Sequence, residues 1–220
     1  WWHAAPGGGA VTASNGVAVV TDVAVGEGRL GADRVFVFAG GNPSGFEDPA
    51  LSAWLRRLAR GGATLGGISG GPYLLARAGL LDGHRCTLHW EHVPAFQESF
   101  PGAQVVRSLY EIDGARVTCS GGIAALDLML DLIGRDHGPG LAAGVGDWFL
   151  HNQIREGLSP QRMDLRQRFG AHASVLDVYL ALTQTCRFQR EVGSRTPNVY
   201  GMTCRAKLDT TGGPEPAGLP

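Results

Sequence analysis

Residues 63–79, Ala-Thr-Leu-Gly-Gly-Ile-Ser-Gly-Gly-Pro-Tyr-Leu-Leu-Ala-Arg-Ala-Gly, constrain the fold more than any other stretch of the chain. A short apolar run between glycines reads as a buried strand, Ala63–Ile68, and a helix follows that ends near Gly79. A sharp turn at Ser69 joins them. Such a turn lifts one side chain above the strand ends and aims the first helical N–H groups at whatever sits there. Gly67-Ile68-Ser69-Gly70-Gly71 is also a literal G-x-S-x-G, the elbow that presents a nucleophile in many α/β enzymes. Geometry alone is not chemistry, because a serine hydroxyl needs an adjacent base. His89, at the end of the next expected strand (Arg85–His89), is the candidate base. Glu91 is the nearest carboxylate in sequence, although on a continuing strand it would not clearly face the same way. The plainer reading makes Ser69 a ligand-contacting or space-filling hydroxyl and His89 a wall of the pocket.

The remaining chain alternates strands and helices. Arg34–Ala39 is a continuous apolar run, as expected of a strand covered on both faces, and ends in Gly40-Gly41. Asp48-Pro49 reads as an N-cap with proline at the first helical position. Leu51, Trp54, Leu55, Leu58 and Ala59 then recur at helical spacing until Gly61-Gly62. A helix near Val93–Phe100, a strand Gln104–Ser108, and a hairpin of Leu109–Ile112 with Arg116–Cys119 around Asp113-Gly114 follow. Helices are expected over Gly121–Ile133 and about Gly140–Arg155. Near the start, Asn15-Gly16 marks a turn between short β-rich runs in Val11–Thr21. This order predicts an α/β fold with a mostly parallel sheet and helices on both faces. Ligands of such sheets sit at the carboxyl ends of the strands. Gly40-Gly41, Ser69-Gly70, His89 and Ser120-Gly121 all fall there.

Composition excludes some functions. A net charge of −1 on 220 residues gives no global electrostatic case for nucleic-acid binding. Arg155, Arg162, Arg166 and Arg168 form a local basic stretch, read as a solvated helix face rather than a DNA contact. Cys86, Cys119, Cys186 and Cys204 show no C-x-x-C spacing and read as reduced thiols, with Cys119 a buried small residue at a strand end. Neither a secretory signal nor a long apolar span is evident, so a cytoplasmic protein without membrane contact is expected. His89-Trp90-Glu91-His92 lacks the spacing of a helical zinc site, and nothing calls for a metal or a cofactor. From about Ser174 the apolar periodicity weakens, and from Arg187 it is gone.

Residues 34–169 resemble the N-terminal domain of GlxA-type regulators, AraC/XylS-family activators whose sensor domain belongs to the PfpI/ThiJ superfamily, related to class I glutamine amidotransferases. The resemblance is carried by Phe38-Ala39-Gly40-Gly41, Gly66-Gly67-Ile68-Ser69, Leu74–Gly83, Thr87-Leu-His-Trp-Glu91 and Thr118-Cys-Ser-Gly-Gly122. It continues through Ala125–Leu130, Arg135-Asp-His-Gly138, Ile154–Gly157 and Pro160–Met163. It implies a flavodoxin-like three-layer sandwich, here without the family's opening strand and helix, of which the strand lies inside the sheet. Catalytic relatives carry Cys at the elbow, where this chain has Ser69, and a His near the position of His89. The regulators often lack that Cys and are thought to sense small polar metabolites, of the amino-acid or quaternary-amine class, in the former active-site crevice. The resemblance therefore implies a non-catalytic crevice built from Gly40, Gly41, Ser69, Gly70, His89, Ser120 and Gly121, and a homodimer. A PfpI/ThiJ-type or serine hydrolase using Ser69 and His89 is the alternative, and a degenerate product without a stable fold a third. Residues 1–170 are expected to form the sensor domain and 171–220 a linker remnant and irregular tail. The paired helix-turn-helix units that follow the position of Leu176 in the regulators have no counterpart pattern here, so specific DNA contact is not expected of this chain itself.

Overall fold

The computed structural model describes residues 1–13, 16–27 and 32–163. The chain divides into two compact units, Trp1–Arg162 and Met163–Pro220. The expected boundary at 170/171, Arg166, Arg168, Cys186 and Cys204 lie outside the described residues. The first unit runs β1 (Ala4–Ala5), β2 (Ala10–Thr12), β3 (Ala18–Val20), β4 (Val23–Ala24), β5 (Arg34–Ala39), α1 (Pro49–Arg60), β6 (Thr64–Ser69) and α2 (Pro72–Arg77). It continues with β7 (Arg85–Cys86), α3 (Val93–Ser99), β8 (Gln104–Val105), β9 (Tyr110–Asp113), β10 (Arg116–Cys119), α4 (Ala124–His137) and α5 (Pro139–Trp148).

The main sheet has the order β5-β6-β10-β9, with β5, β6 and β10 parallel and β9 antiparallel to β10. Both expected hairpins are present, β2 with β3 and β9 with β10. Alternation along the strands separates two cores. On one face Val35, Val37, Ala39 and Leu65 meet Leu55 and Leu58 of α1, Tyr73 and Leu75 of α2, and Phe96 of α3. On the other, Phe36, Ile68 and Val117 meet Leu128 and Leu132 of α4. The result is the expected mostly parallel three-layer α/β sandwich.

Four expectations are corrected. Arg34–Ala39 is an edge strand: among the described residues β5 pairs only with β6, β1 and β4 pair with each other, and Phe38 is 72% exposed. β7 stops at Cys86 rather than His89. The Thr87 N–H donates to Thr118 Oγ1 (2.9 Å) and the Thr87 hydroxyl to the Ser108 carbonyl (2.9 Å), so side chains replace the ladder. β8 likewise ends at Val105 rather than Ser108. α5 ends at Trp148 instead of about Arg155. Leu150 takes φ 55°, and its N–H and that of His151 bond back to the Asp147 and Gly146 carbonyls, a Schellman closure.

Candidate functional site

The carboxyl ends of β5, β6 and β10 meet at Ser69. It is the last residue of β6 and holds φ 60°, a left-handed conformation rare outside glycine. Its neighbours enforce this. A Cβ on Gly70 would fall 2.8 Å from Pro43 and 2.9 Å from the Ala39 carbonyl oxygen, and one on Gly121 would fall 2.8 Å from Ser69 Cβ. The Gly70 N–H donates to the Ala39 carbonyl (2.9 Å), tying the elbow to Gly40-Gly41. The His89 N–H donates to the Ser69 carbonyl (3.2 Å), which brings the segment after β7 to the same place. The Ser120 N–H is bound to the Leu109 carbonyl (2.8 Å), which seats Ser120-Gly121 on the fourth side. Thus the residues expected to converge from four chain segments are neighbours.

Two chemical expectations of the elbow are corrected. The N–H groups expected to face a ligand are engaged: Gly70 with Ala39, Gly71 with the Ile68 carbonyl (2.8 Å), while Pro72 has none. The turn therefore offers no ready oxyanion hole of the kind acyl transfer needs. Nor does any hydrogen bond join Ser69 Oγ to the His89 ring among the described residues. That ring is 34% exposed and points its Nδ1 to within 3.9 Å of Glu91. Next to it, burial and the neighbouring His89 charge lower the His92 pKa. The two described cysteines are equally unfit as nucleophiles. Burial pushes the Cys86 thiol up to about 12 and the Cys119 thiol to about 11. Among the described residues no three His, Cys, Asp or Glu side chains form a metal site.

Several residues with a part in this site carry no sequence signal. Arg77, in the last turn of α2, donates to the carbonyls of Pro43, Ser44 and Phe46 and so fixes the loop after Gly40-Gly41. Gln161, 74 residues along the chain, donates to Thr87 Oγ1, two residues before His89. Arg162, expected on a solvated face, lies 4.3 Å above the Trp90 ring. Arg155, from the same basic stretch, is held by Asp127, a carboxylate buried in the first turn of α4. Away from the elbow, a groove of about 500 Å³ lies between α4, α5 and residues 154–157. Of its charged lining, Asp131 pairs with Arg135 and Arg155 with Asp127.

The sequence profile of the DJ-1/PfpI family matches residues 3–135, and the chain belongs to that family. Among curated proteins, it is 50% identical over 170 residues to the HTH-type transcriptional regulator CdhR of Pseudomonas aeruginosa, covering 77% of this chain and 50% of that one. It is 42% identical over 182 residues to the HTH-type transcriptional regulator GlxA of Rhizobium meliloti, covering 82% and 56%. The chain thus spans about half the length of the curated relatives it matches. Among solved structures, an AraC family transcriptional regulator from Pseudomonas putida superposes with a TM-score of 0.59 at 29% identity, covering 64% of this chain and 76% of that one. A ThiJ/PfpI family protein from Pseudomonas syringae shares the fold, with a TM-score of 0.61 at 20% identity over 83% of this chain and 73% of that one. No described helix is long and apolar enough to cross a membrane.

Proposed function

We propose that this chain is the ligand-sensing domain of a GlxA-type, AraC-family transcriptional regulator. It takes a small polar metabolite, of the amino-acid or quaternary-amine class, into a non-catalytic crevice lined by Gly40, Gly41, Ser69, Gly70, His89, Ser120 and Gly121. The observation that carries this reading is the disarmed elbow. Ser69 keeps the strained geometry of a nucleophile, yet its turn N–H groups are engaged and, among the described residues, no hydrogen bond joins its hydroxyl to the His89 ring. The relatives, named as HTH-type regulators, supply the regulatory context. The sensor acts as a homodimer in the cytoplasm, and DNA is contacted through a helix-turn-helix region of the kind those names specify. A thermal-shift screen of amino acids and quaternary amines tests it. A saturable rise in Tm is expected, with Ser69→Ala and His89→Ala each weakening binding about tenfold, as loss of one polar contact does. Ester or amide turnover abolished by Ser69→Ala would instead establish the hydrolase.

A further inference from the structure

At the end of the first unit, the side chains of Gln161 and Arg162 bear on the residues next to His89. The Gln161 amide group donates to the Ser108 carbonyl (2.7 Å), the Leu88 carbonyl (3.0 Å) and Thr87 Oγ1 (3.1 Å). Thr87 and Leu88 are the two residues before His89, and Ser108 lies in the loop between β8 and β9. Arg162 stacks its guanidinium on Trp90, the residue after His89. His89 itself is bonded through its N–H to the Ser69 carbonyl at the elbow. A displacement of His89 therefore reaches Gln161 from one side and Arg162 from the other.

The grip is incomplete. Gln161 presents two N–H bonds to three acceptors, and its Oε1 is buried without a hydrogen-bond partner. A buried unpaired carbonyl oxygen opposes the closed state and regains water when the side chain leaves. The arginine–tryptophan contact is half-exposed and weak on its own. By contrast, the chain just upstream is held firmly. Asp127 accepts from the Arg155 N–H (3.0 Å), the Arg155 guanidinium (2.6 Å) and His151 (2.7 Å), and the Gly157 carbonyl accepts from Leu109 (2.7 Å). With residues 151–157 anchored and 161–162 lightly held, a change at His89 is relieved at Gln161 and Arg162 rather than farther back.

We propose that Gln161 and Arg162 form a latch that reports occupancy of the Ser69–His89 crevice to the chain beyond Arg162. The inference rests on the ligand-binding reading of that crevice, and the latch opens when the crevice is filled. Gln161 is a positioning residue, acting on the site through Thr87 and Leu88.

A test that needs no knowledge of the natural ligand places a group in the crevice covalently. In the full chain carrying Ser69→Cys, Cys186→Ser and Cys204→Ser, iodoacetate alkylates the elbow thiolate with release of iodide. Cys86 and Cys119 are buried with raised pKa and stay unmodified. Limited trypsin cleavage after Arg162 is then followed by mass spectrometry. The adduct is expected to speed that cleavage about tenfold by raising the open population, without speeding cleavage after Arg135. Adding Gln161→Ala should make cleavage fast with or without the adduct, so the tenfold ratio disappears, which a merely structural glutamine would not do. An adduct confirmed in place that leaves cleavage after Arg162 unchanged overturns the latch. Should Ser69→Cys fail to fold, Gln161→Ala is made in the otherwise unaltered chain. Amide exchange must then quicken at residues 87–92 and not in β6 or β10, and uniform loosening overturns the latch. A metabolite screen without hits would sink the binding reading and leave these outcomes readable.

Discussion

Ser69 sits at φ 60°, next to Gly70 in the chain and against Gly121 in space. Gly121 is doubly constrained: its own φ is 90°, and a Cβ there would meet Ser69 Cβ at 2.8 Å. Both faults act together in Gly121→Ala, which combines a backbone strain of ~1–3 kcal/mol with an overlap against backbone-fixed atoms. The expected outcome is a loss of at least ~2 kcal/mol in urea unfolding. A near-neutral result would mean that Ser69 can move aside and that its strain is not imposed by its neighbours. Cysteine chemistry is expected to be silent at the same scale. With its thiol pushed up to about 11 and buried, Cys119 should resist iodoacetate at neutral pH in the folded chain and react once urea unfolds it.

At the scale of elements, helix ends decide more than helix interiors. α1 begins with Asp48, whose Oδ1 accepts from the Ala50 N–H (2.8 Å) and the Leu51 N–H (3.0 Å) with Pro49 at the first position. Asp48→Ala should cost about 1 kcal/mol, read as a lower urea midpoint with an unchanged slope. α5 closes with the opposite kind of residue. Leu150 occupies the left-handed position glycine normally takes, with its side chain 90% exposed. Leu150→Gly should raise stability by about 0.5 kcal/mol, relief of left-handed strain exceeding the extra unfolded-state entropy. A drop in stability would show that the leucine side chain is in use. These ends also mark what the sequence makes legible. Asp48-Pro49, Gly61-Gly62 and Asp113-Gly114 act within a few residues, so local sequence alone places α1 and the β9–β10 hairpin. β7 and α5 are shorter than their sequence patterns suggest because their limits depend on partners far away in sequence. Thr87 is satisfied by Thr118, 31 positions on, and the chain after α5 is captured by Asp127, 28 positions back from Arg155. The elbow and the ends of β5, β6 and β10 are legible as local patterns, whereas Arg77 and Gln161 bear on the loops around the elbow through tertiary contacts that no spacing announces.

At the scale of the molecule, the two cores on either side of the sheet must be held to one another and to the segment that leads out of the unit. Asp127 makes the second of these connections. Burial by itself would raise its carboxyl pKa, but the Arg155 N–H, the His151 ring and the Arg155 guanidinium outweigh burial and hold it below the ordinary 3.8. A carboxyl whose pKa is lower folded than unfolded contributes stability that is complete above the unfolded value and lost as pH falls through the folded one. The tie should therefore hold at neutral pH and weaken as pH falls below the ordinary 3.8 and through the lowered folded value. Replacing one partner of a buried ion pair strands the other, and Arg155, at 39% side-chain exposure, recovers part of its hydration. Asp127→Asn should accordingly cost about 2–3 kcal/mol at pH 7, at or below the lower end for a fully buried pair. The decisive measurement is the gap in unfolding free energy between the original and Asp127→Asn chains as a function of pH. A gap that narrows as the solution is acidified identifies the carboxylate charge as the tie between α4 and residues 151–155. A gap that stays constant from neutral to acid pH would place the stabilisation in shape and neutral hydrogen bonding, and the depressed pKa would then play no part in holding this unit together.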